Sequence, residues 1–441
     1  MIGRGHRAAT SKPTPPPPGP PPTGPVRHLP SFLAAFEKEA FGWVWLSILA
    51  ANSGRFCIVL VAGYEAYHEG HSALWSSSIS MVILLPMVVV APLAGGLADR
   101  VNRTLLMAAG MVTAFGASVG AAVLAGTAIG SLPILVALVL LIGVGSAVQA
   151  PAWQSVLPGL LGTSRLLNGS LLAQIAQQGA ELSGPAIGTA ILLLGGPVAG
   201  FALCAAFYAV GALAAWRVRN AVAAPTGTHR GLFSPVLHGL VYIAGRRSLA
   251  LLMLFVALHC SLTMAFNGLL PALAAEHLGG GSGVYGALLT AVGIGAVTGP
   301  LVLILFGRRL RDLHLLFVSG FLSGALLACL GLVRTLGLAV LCSAGVGAFE
   351  AVFMAVVYML SQTMTTDGMR GRVASSQLVI TAGAMSVLSM GWGALEGPWG
   401  PGLTMLVPGL VFAAAVLGFL PFGPRFDVRG TRSVTARATG A

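Results

Sequence analysis

Continuous apolar runs of about twenty residues, repeated along almost the whole chain, constrain this protein more than any other feature. Only 8% of its 441 residues are charged, against about 25% in a soluble protein, and 56% are hydrophobic. Inside a bilayer the backbone must satisfy its own polar groups, so runs of this length read as membrane-spanning α-helices. A β-barrel would show alternating segments of roughly ten residues instead. The runs fall at 43–64, 77–98, 104–127, 132–153, 168–194, 198–216, 249–272, 284–306, 313–332, 336–360, 374–395 and 402–421. The expected fold class is therefore an all-α polytopic membrane protein with twelve transmembrane helices.

The breaks between runs divide the chain. Residues 1–40 begin with a polar, Pro-rich stretch (Pro15–Pro18, Pro20–Pro22) that cannot pack a core, followed at Ser31–Glu39 by a short interfacial helix. An N-terminal six-helix bundle is expected over 41–216 and a C-terminal one over 249–421, joined by a linker at 217–248 whose second half, Leu232–Ala244, reads as an amphipathic surface helix. Residues 422–441 form a C-terminal tail. Twenty-two of the 24 Lys and Arg fall on one side when the N-terminus is inside; only Arg334 falls outside and Arg55 lies within a span. The net charge of +12 is thus a topology signal, with both termini cytoplasmic, and not a nucleic-acid footprint. The expected location is the plasma (bacterial inner) membrane, and the expected state a monomer. The five cysteines lie inside apolar runs without paired spacing and read as small buried hydrophobes.

The halves look like parallel repeats. The charged hairpin at Asp99–Arg103 follows the second run and Arg308–Asp312 follows the eighth; Arg165-Leu166-Leu167-Asn168 enters the fifth and Arg372-Val373-Ala374-Ser375 the eleventh. Gly95-Gly96-Leu97-Ala98-Asp99-Arg100-Val101-Asn102-Arg103 resembles motif A of the major facilitator superfamily, in the position that motif occupies. Asn102 replaces a usual Gly, which a left-handed turn would accept, and Thr104 replaces a basic residue. Pro151-Ala152-Trp153-Gln154, Gly184-Pro185-Ala186-Ile187-Gly188, Tyr285-Gly286-Ala287-Leu288 and Arg370-Gly371-Arg372-Val373 resemble the efflux branch related to enterobactin and macrolide exporters, over about 41–421.

The resemblance implies two pseudo-symmetric six-helix bundles. It also implies a conformational latch at Gly95, Gly96, Asp99, Arg100 and Arg103, with Asp99 capping a helix or pairing with Arg103. Gly184, Pro185 and Gly188 resemble an antiporter motif, although Thr189 departs from it and close helix packing explains small residues equally well. An acidic residue common after the Gly of the first span is absent: Gly54 is followed by Arg55.

Ionisable residues inside spans are the best pointers to function. Arg55, Glu181 and Glu350 each fall about 18–21 Å along their helices, near the midplane. Polar companions share their faces: Ser170, Gln174, Gln177 and Gln178 with Glu181; His259, Thr263 and Asn267 in span seven; Ser343, Glu350, Met354 and Tyr358 in span ten; Asn52 alone beside Arg55. Such stripes line a water-filled cavity. Spans three, six, nine and twelve lack Asp, Glu, Lys and Arg and are expected to face lipid. Glu181 or Glu350 is the candidate proton carrier. Arg55 binds an anionic or carbonyl-bearing group, or forms a fixed ion pair with Glu181. His259 reads as a core residue, Gln149 and Gln154 as weaker candidates, and Trp153 and Tyr64 as interface anchors or ligand stackers. Glu65, His68, Glu69 and His71 occupy an outer loop.

There is no phosphate-binding GxxxxGK[ST], no HExxH and no metal-ligand cluster in the spans, so no cofactor, metal or enzymatic activity is expected. The reading is a proton-coupled efflux transporter for a small amphipathic compound such as a drug or siderophore-like molecule. A facilitator for lipid-like substrates, or a non-transporting sensor or scaffold on the same fold, stands beside it.

Overall fold

A computed structural model describes residues 31–98, 100–127, 131–221, 234–306 and 312–423. All described elements are helical. A 3₁₀ helix, Ser31–Glu37, precedes α1 (Glu39–Gly70), α2 (Ala73–Ala98), α3 (Arg103–Ala125), α4 (Leu132–Gly162) and α5 (Asn168–Arg217). The surface helix α6 (Ser234–Ala244) leads to α7 (Arg247–His277), α8 (Ser282–Phe306), α9 (Asp312–Leu332), α10 (Leu336–Thr363) and α11 (Arg370–Phe419).

Ten helices among the described residues are long and apolar enough to cross a membrane, where the sequence reading expects twelve. The difference lies in α5 and α11. Each is too long for one crossing and carries one glycine with positive φ, Gly196 at 67° and Gly400 at 74°. Only glycine takes that conformation without strain, and it turns the chain back. In α5, Gly188 packs on Cys57 and Leu60 of α1 before the kink, and Tyr208 packs on Gly54 after it. Twenty residues of straight helix would separate these by about 30 Å, so the two arms of α5 run antiparallel. In α11, Trp392 donates to the Ser261 carbonyl at 2.9 Å, while Phe412 stacks on Phe255, only six residues from Ser261. The kinks sit at the breaks between spans five and six and between eleven and twelve.

One apolar core contains only residues between Ala35 and Val218, and a second only residues between Ile243 and Phe422. A third joins Leu60 and Ala73 of the first half to Leu270, Leu288 and Leu327 of the second. Bare apolar faces point outward on the arms expected to meet lipid: Val112 and Val123 on α3, Leu213 on α5, Val318 on α9, Leu410 and Leu417 on α11. Cys57, Cys204 and Cys260 are buried, whereas Cys329 faces outward.

Several local readings change. The group Glu65, His68, Glu69 lies on the last turns of α1 and not in a loop, and His71 closes that helix in the left-handed conformation, φ 47°. Trp153 is 8% exposed within the first core, so it neither anchors at an interface nor faces a ligand. Asn102 is extended, φ −61° and ψ 116°, not left-handed. It is the N-cap of α3: its side-chain oxygen accepts from the N–H groups of Thr104 and Leu105, and from the Thr104 hydroxyl at 2.7 Å. The replacements at 102 and 104 therefore work as a pair.

The two short surface elements occupy matching places. Ala35 N–H donates to the Asn168 side chain at 3.0 Å, and Glu37 pairs with Arg165 at 2.7 Å, where α4 passes into α5. In the second half the Ser376 hydroxyl donates to the Val236 carbonyl of α6 at 2.9 Å, near the start of α11. The offset of about two hundred residues seen in the sequence is thus present in the packing.

Candidate functional site

A partly open cavity lies between the halves. Its walls come from α1, α2 and α5 on one side and α7, α8 and α11 on the other. The polar lining is Arg55, Ser80, Glu181, Asn267 and Ser389; the rest is apolar, including Phe56, Leu84, Met264 and Met385. That mixture of a few polar groups on apolar walls suits a small ligand.

Proline shapes several of these walls. Pro271 has no N–H for the Asn267 carbonyl, and α7 leaves the α-helical path for a 3₁₀ stretch at Met264–Leu269. That stretch carries Met264, Ala265 and Asn267 into the cavity. Pro185 likewise leaves the Glu181 carbonyl without its helical donor. Gly293 of α8 packs on this carbonyl so closely that a Cβ there would stand 2.5 Å from it. Pro300 frees the Ala296 carbonyl of α8, which accepts from Gln178 of α5 at 3.3 Å. Two helix-interior prolines thus supply backbone acceptors where the halves meet.

Arg55 and Glu181 share the cavity and interact electrostatically, yet they are not a salt bridge: the pairs within 4.0 Å include His68–Glu69 and Arg165–Glu37 but not this one. The fixed ion pair expected as one alternative is absent. The buried Arg55 Nε has no hydrogen-bond partner; its guanidinium lies 4.6 Å over the Phe56 ring. Asn267 donates to the Met264 carbonyl at 3.3 Å, while its buried Oδ1 accepts nothing.

The other expected candidates separate from this group. Glu350 does not line the cavity; it is 5% exposed on α10, with Oε1 lacking a partner, one turn from the place where Gly347 packs on the Val292 carbonyl of α8. Tyr358 is 54% exposed and Gln174 is exposed, so the stripes on spans ten and five do not face one cavity throughout. The reason is that an i, i+4 stripe drifts around a straight helix, and each helix here also contacts neighbours on both sides. Asn52 is buried and returns its amide to the Ile48 carbonyl at 2.8 Å. His259 is fully buried, its ring tilted 34° to that of Phe353 with centroids 4.1 Å apart and Nδ1 3.0 Å from the Thr263 hydroxyl, as a core residue is. Gln149 is buried and Gln154 exposed, neither at the cavity. The serines Ser80 and Ser389 and the wall residues Phe56 and Met385 were not singled out by sequence; only their helix-face neighbours, Ser76, Ser77 and Ser386, hint at a polar seam.

Gly184 and Gly188 press α5 onto α1: a Cβ at Gly184 would stand 2.6 Å from the Ser53 carbonyl, and one at Gly188 3.0 Å from Cys57 Sγ. In the hairpin, Gly95 and Gly96 belong to the last turn of α2, and Asp99 lies outside the described residues. Arg100 N–H closes that helix on the Leu97 carbonyl at 2.9 Å. Arg103 donates to the Ala98 carbonyl at 3.3 Å and the Ser155 carbonyl of α4 at 2.9 Å, and Asn102 to the Arg219 carbonyl at 2.7 Å. All these bonds stay within the first half.

Hydrogen bonds between the halves concentrate on the other face. Tyr67 donates to Glu276 at 2.8 Å, Ser76 to the Gly268 carbonyl at 2.6 Å, Tyr285 to the Val59 carbonyl at 3.2 Å and Ser389 to the Ser77 carbonyl at 3.5 Å. The Gln178–Ala296 bond joins the halves on the hairpin side of the cavity.

No curated protein matches this chain in sequence. Its fold is that of solved transporters. A POT-family transporter in complex with 5-aminolevulinic acid is 14% identical, with TM-score 0.72, covering 88% of this chain and 97% of that one. A peptide transporter in complex with sulfate is 14% identical, with TM-score 0.68 and coverages of 88% and 96%. A bacterial homologue of the human lysosomal transporter Spinster, in an inward-facing and unoccupied conformation, is 13% identical, with TM-score 0.65 and coverages of 90% and 96%. The family model for transmembrane secretion effectors matches residues 30–432. With that match over nearly the whole described chain, and a cavity enclosed by six helices of a transporter fold, the protein belongs to the transmembrane secretion effector family and is a multi-pass membrane transporter of the major facilitator type.

Proposed function

We propose that this transporter is an exporter of a small amphipathic compound in the plasma membrane, driven by protons and working as a monomer. The observation that carries the reading is the cavity, walled by both halves and holding an arginine and a carboxylate that do not pair. Counting the antiparallel arms of α5 and α11 separately makes twelve passes, in halves at 41–216 and 249–421. Both termini then lie on the hairpin side, taken as cytoplasmic from the distribution of Lys and Arg.

Alternating access follows from the distribution of inter-half bonds. They hold the face of Tyr67 and Glu276 together, opposite the hairpin. Rocking the halves breaks these bonds and brings the hairpin, with Asp99 and Arg100, against the second half as a latch. Glu181, at the cavity wall, carries the proton whose binding competes with substrate. Glu350, buried behind α8, is the second carboxyl of the cycle.

Proteoliposomes with an imposed pH gradient and ethidium as the probe test this. Wild-type protein moves the dye against its gradient; Glu181→Gln and Glu350→Gln each lose the pH-driven component. Gradient-driven movement at the wild-type rate in both variants overturns the proton assignment, and dye movement indifferent to the pH gradient favours a facilitator.

A further inference from the structure

We propose that the central cavity takes a bipolar amphiphile, a compound carrying an anionic group and an ammonium group on one apolar body, and holds it across both halves. This deepens the transporter reading and rests on it. Two buried polar atoms on the cavity wall lack hydrogen-bond partners, and a carboxylate beside them has no ion pair. Arg55 Nε is a buried donor with no acceptor, and Asn267 Oδ1 a buried acceptor with no donor. Glu181 stands in the same cavity, further than 4.0 Å from any cation that would neutralise it. A buried polar group left unmet is unfavourable, and more so when charged.

Ligand chemistries differ in how they meet these groups. A purely apolar ligand displaces water from all three and satisfies none. An anion satisfies Arg55 but brings a like charge toward Glu181. A cation does the reverse. A zwitterion pairs its anionic group with Arg55, and its ammonium, with three N–H donors, serves both Glu181 on α5 and Asn267 Oδ1 on α7. Because α5 and α7 belong to different halves, such a ligand bridges them through its charged end. The remaining wall fits an apolar body: Phe56 and Leu84 face Met264 and Met385, and thioethers adapt to irregular shapes.

The test is a matched series on the purified full-length protein in nanodiscs: 2-aminodecanoic acid, decanoic acid and decylamine at pH 7, read by calorimetry. The zwitterion is expected to bind at least about tenfold tighter than either monopolar compound, about 1.4 kcal/mol. Arg55→Gln removes its advantage over decylamine, Glu181→Gln its advantage over decanoic acid, and Asn267→Leu narrows the gap between the zwitterion and decanoic acid. Equal binding of a monopolar compound, or no binding of the zwitterion below about 1 mM, overturns the proposal. The wild-type ranking needs no variant to fold. Dye transport without this ranking sinks the ligand class alone; the ranking without transport sinks the exporter reading alone.

Discussion

The Tyr67 hydroxyl donates a 2.8 Å hydrogen bond to Glu276, joining the end of α1 in one half to the end of α7 in the other. Ser76 repeats the connection one helix on, through the Gly268 carbonyl at 2.6 Å. Both groups have to separate if the cavity is to open on this face, so the bonds set the balance between the two access states.

Tyr67→Phe removes the donor and keeps the ring. A hydrogen bond to a charged acceptor contributes about 1.5–3 kcal/mol, and less when exposed as here. The open population on this face should rise several-fold. Spin labels at exposed positions of α1 and α7, read by pulsed electron resonance, report it; an unchanged distance distribution argues against the bond as a determinant of access.

Asn102 combines two functions, capping α3 through Oδ1 and tying the hairpin to the Arg219 carbonyl through Nδ2. Asn102→Ala loses both and should cost about 1 kcal/mol or more. Asn102→Asp keeps the cap and loses the amide donor, so its thermal midpoint should fall between wild type and alanine. Asn102→Gly, the residue usual at this place in the motif, should be less stable than wild type because the backbone here is extended.

Gly293→Val drives a branched side chain into the Glu181 carbonyl. Overpacking of this kind costs about 1–3 kcal/mol, and it should also reduce transport by displacing Glu181. Gly116→Ala on α3, where a Cβ meets nothing within 4 Å, is the control and should leave the melting temperature unchanged or raised. Differential scanning fluorimetry on the pair measures the difference.

Pro300→Ala returns an N–H to the Ala296 carbonyl, which then has a helical donor and no longer depends on Gln178. The helix should gain stability while the bond between halves weakens. Higher thermal stability together with slower transport is the expected signature; a simple loss of both counts against the assignment.

The hydrophobic runs alone determined that the chain crosses a membrane many times, because a bilayer accepts little but helices of that length. The hairpin motif pointed to the major facilitator type, and the repeated Arg165 and Arg372 segments pointed to two related halves. Arg55, Glu181 and Asn267 were legible as site candidates for the same reason: an ionisable or amide side chain in a span needs an aqueous or protein surface to face. Helical periodicity says which residues share a face but not what stands opposite, and Tyr358, Gln174 and Asn52 do not line the cavity that Arg55 and Glu181 share. Only the packing of α8 between α5 and α10 decided that Glu181 meets the cavity and Glu350 does not. Only the backbone geometry showed that Asn102 is a helix cap, and that Pro185 and Pro300 expose carbonyls at the boundary between halves. The contacts of Glu181 with Gly293 and of Gln178 with Ala296 join residues more than a hundred positions apart, and such contacts are set by how whole helices lie on one another.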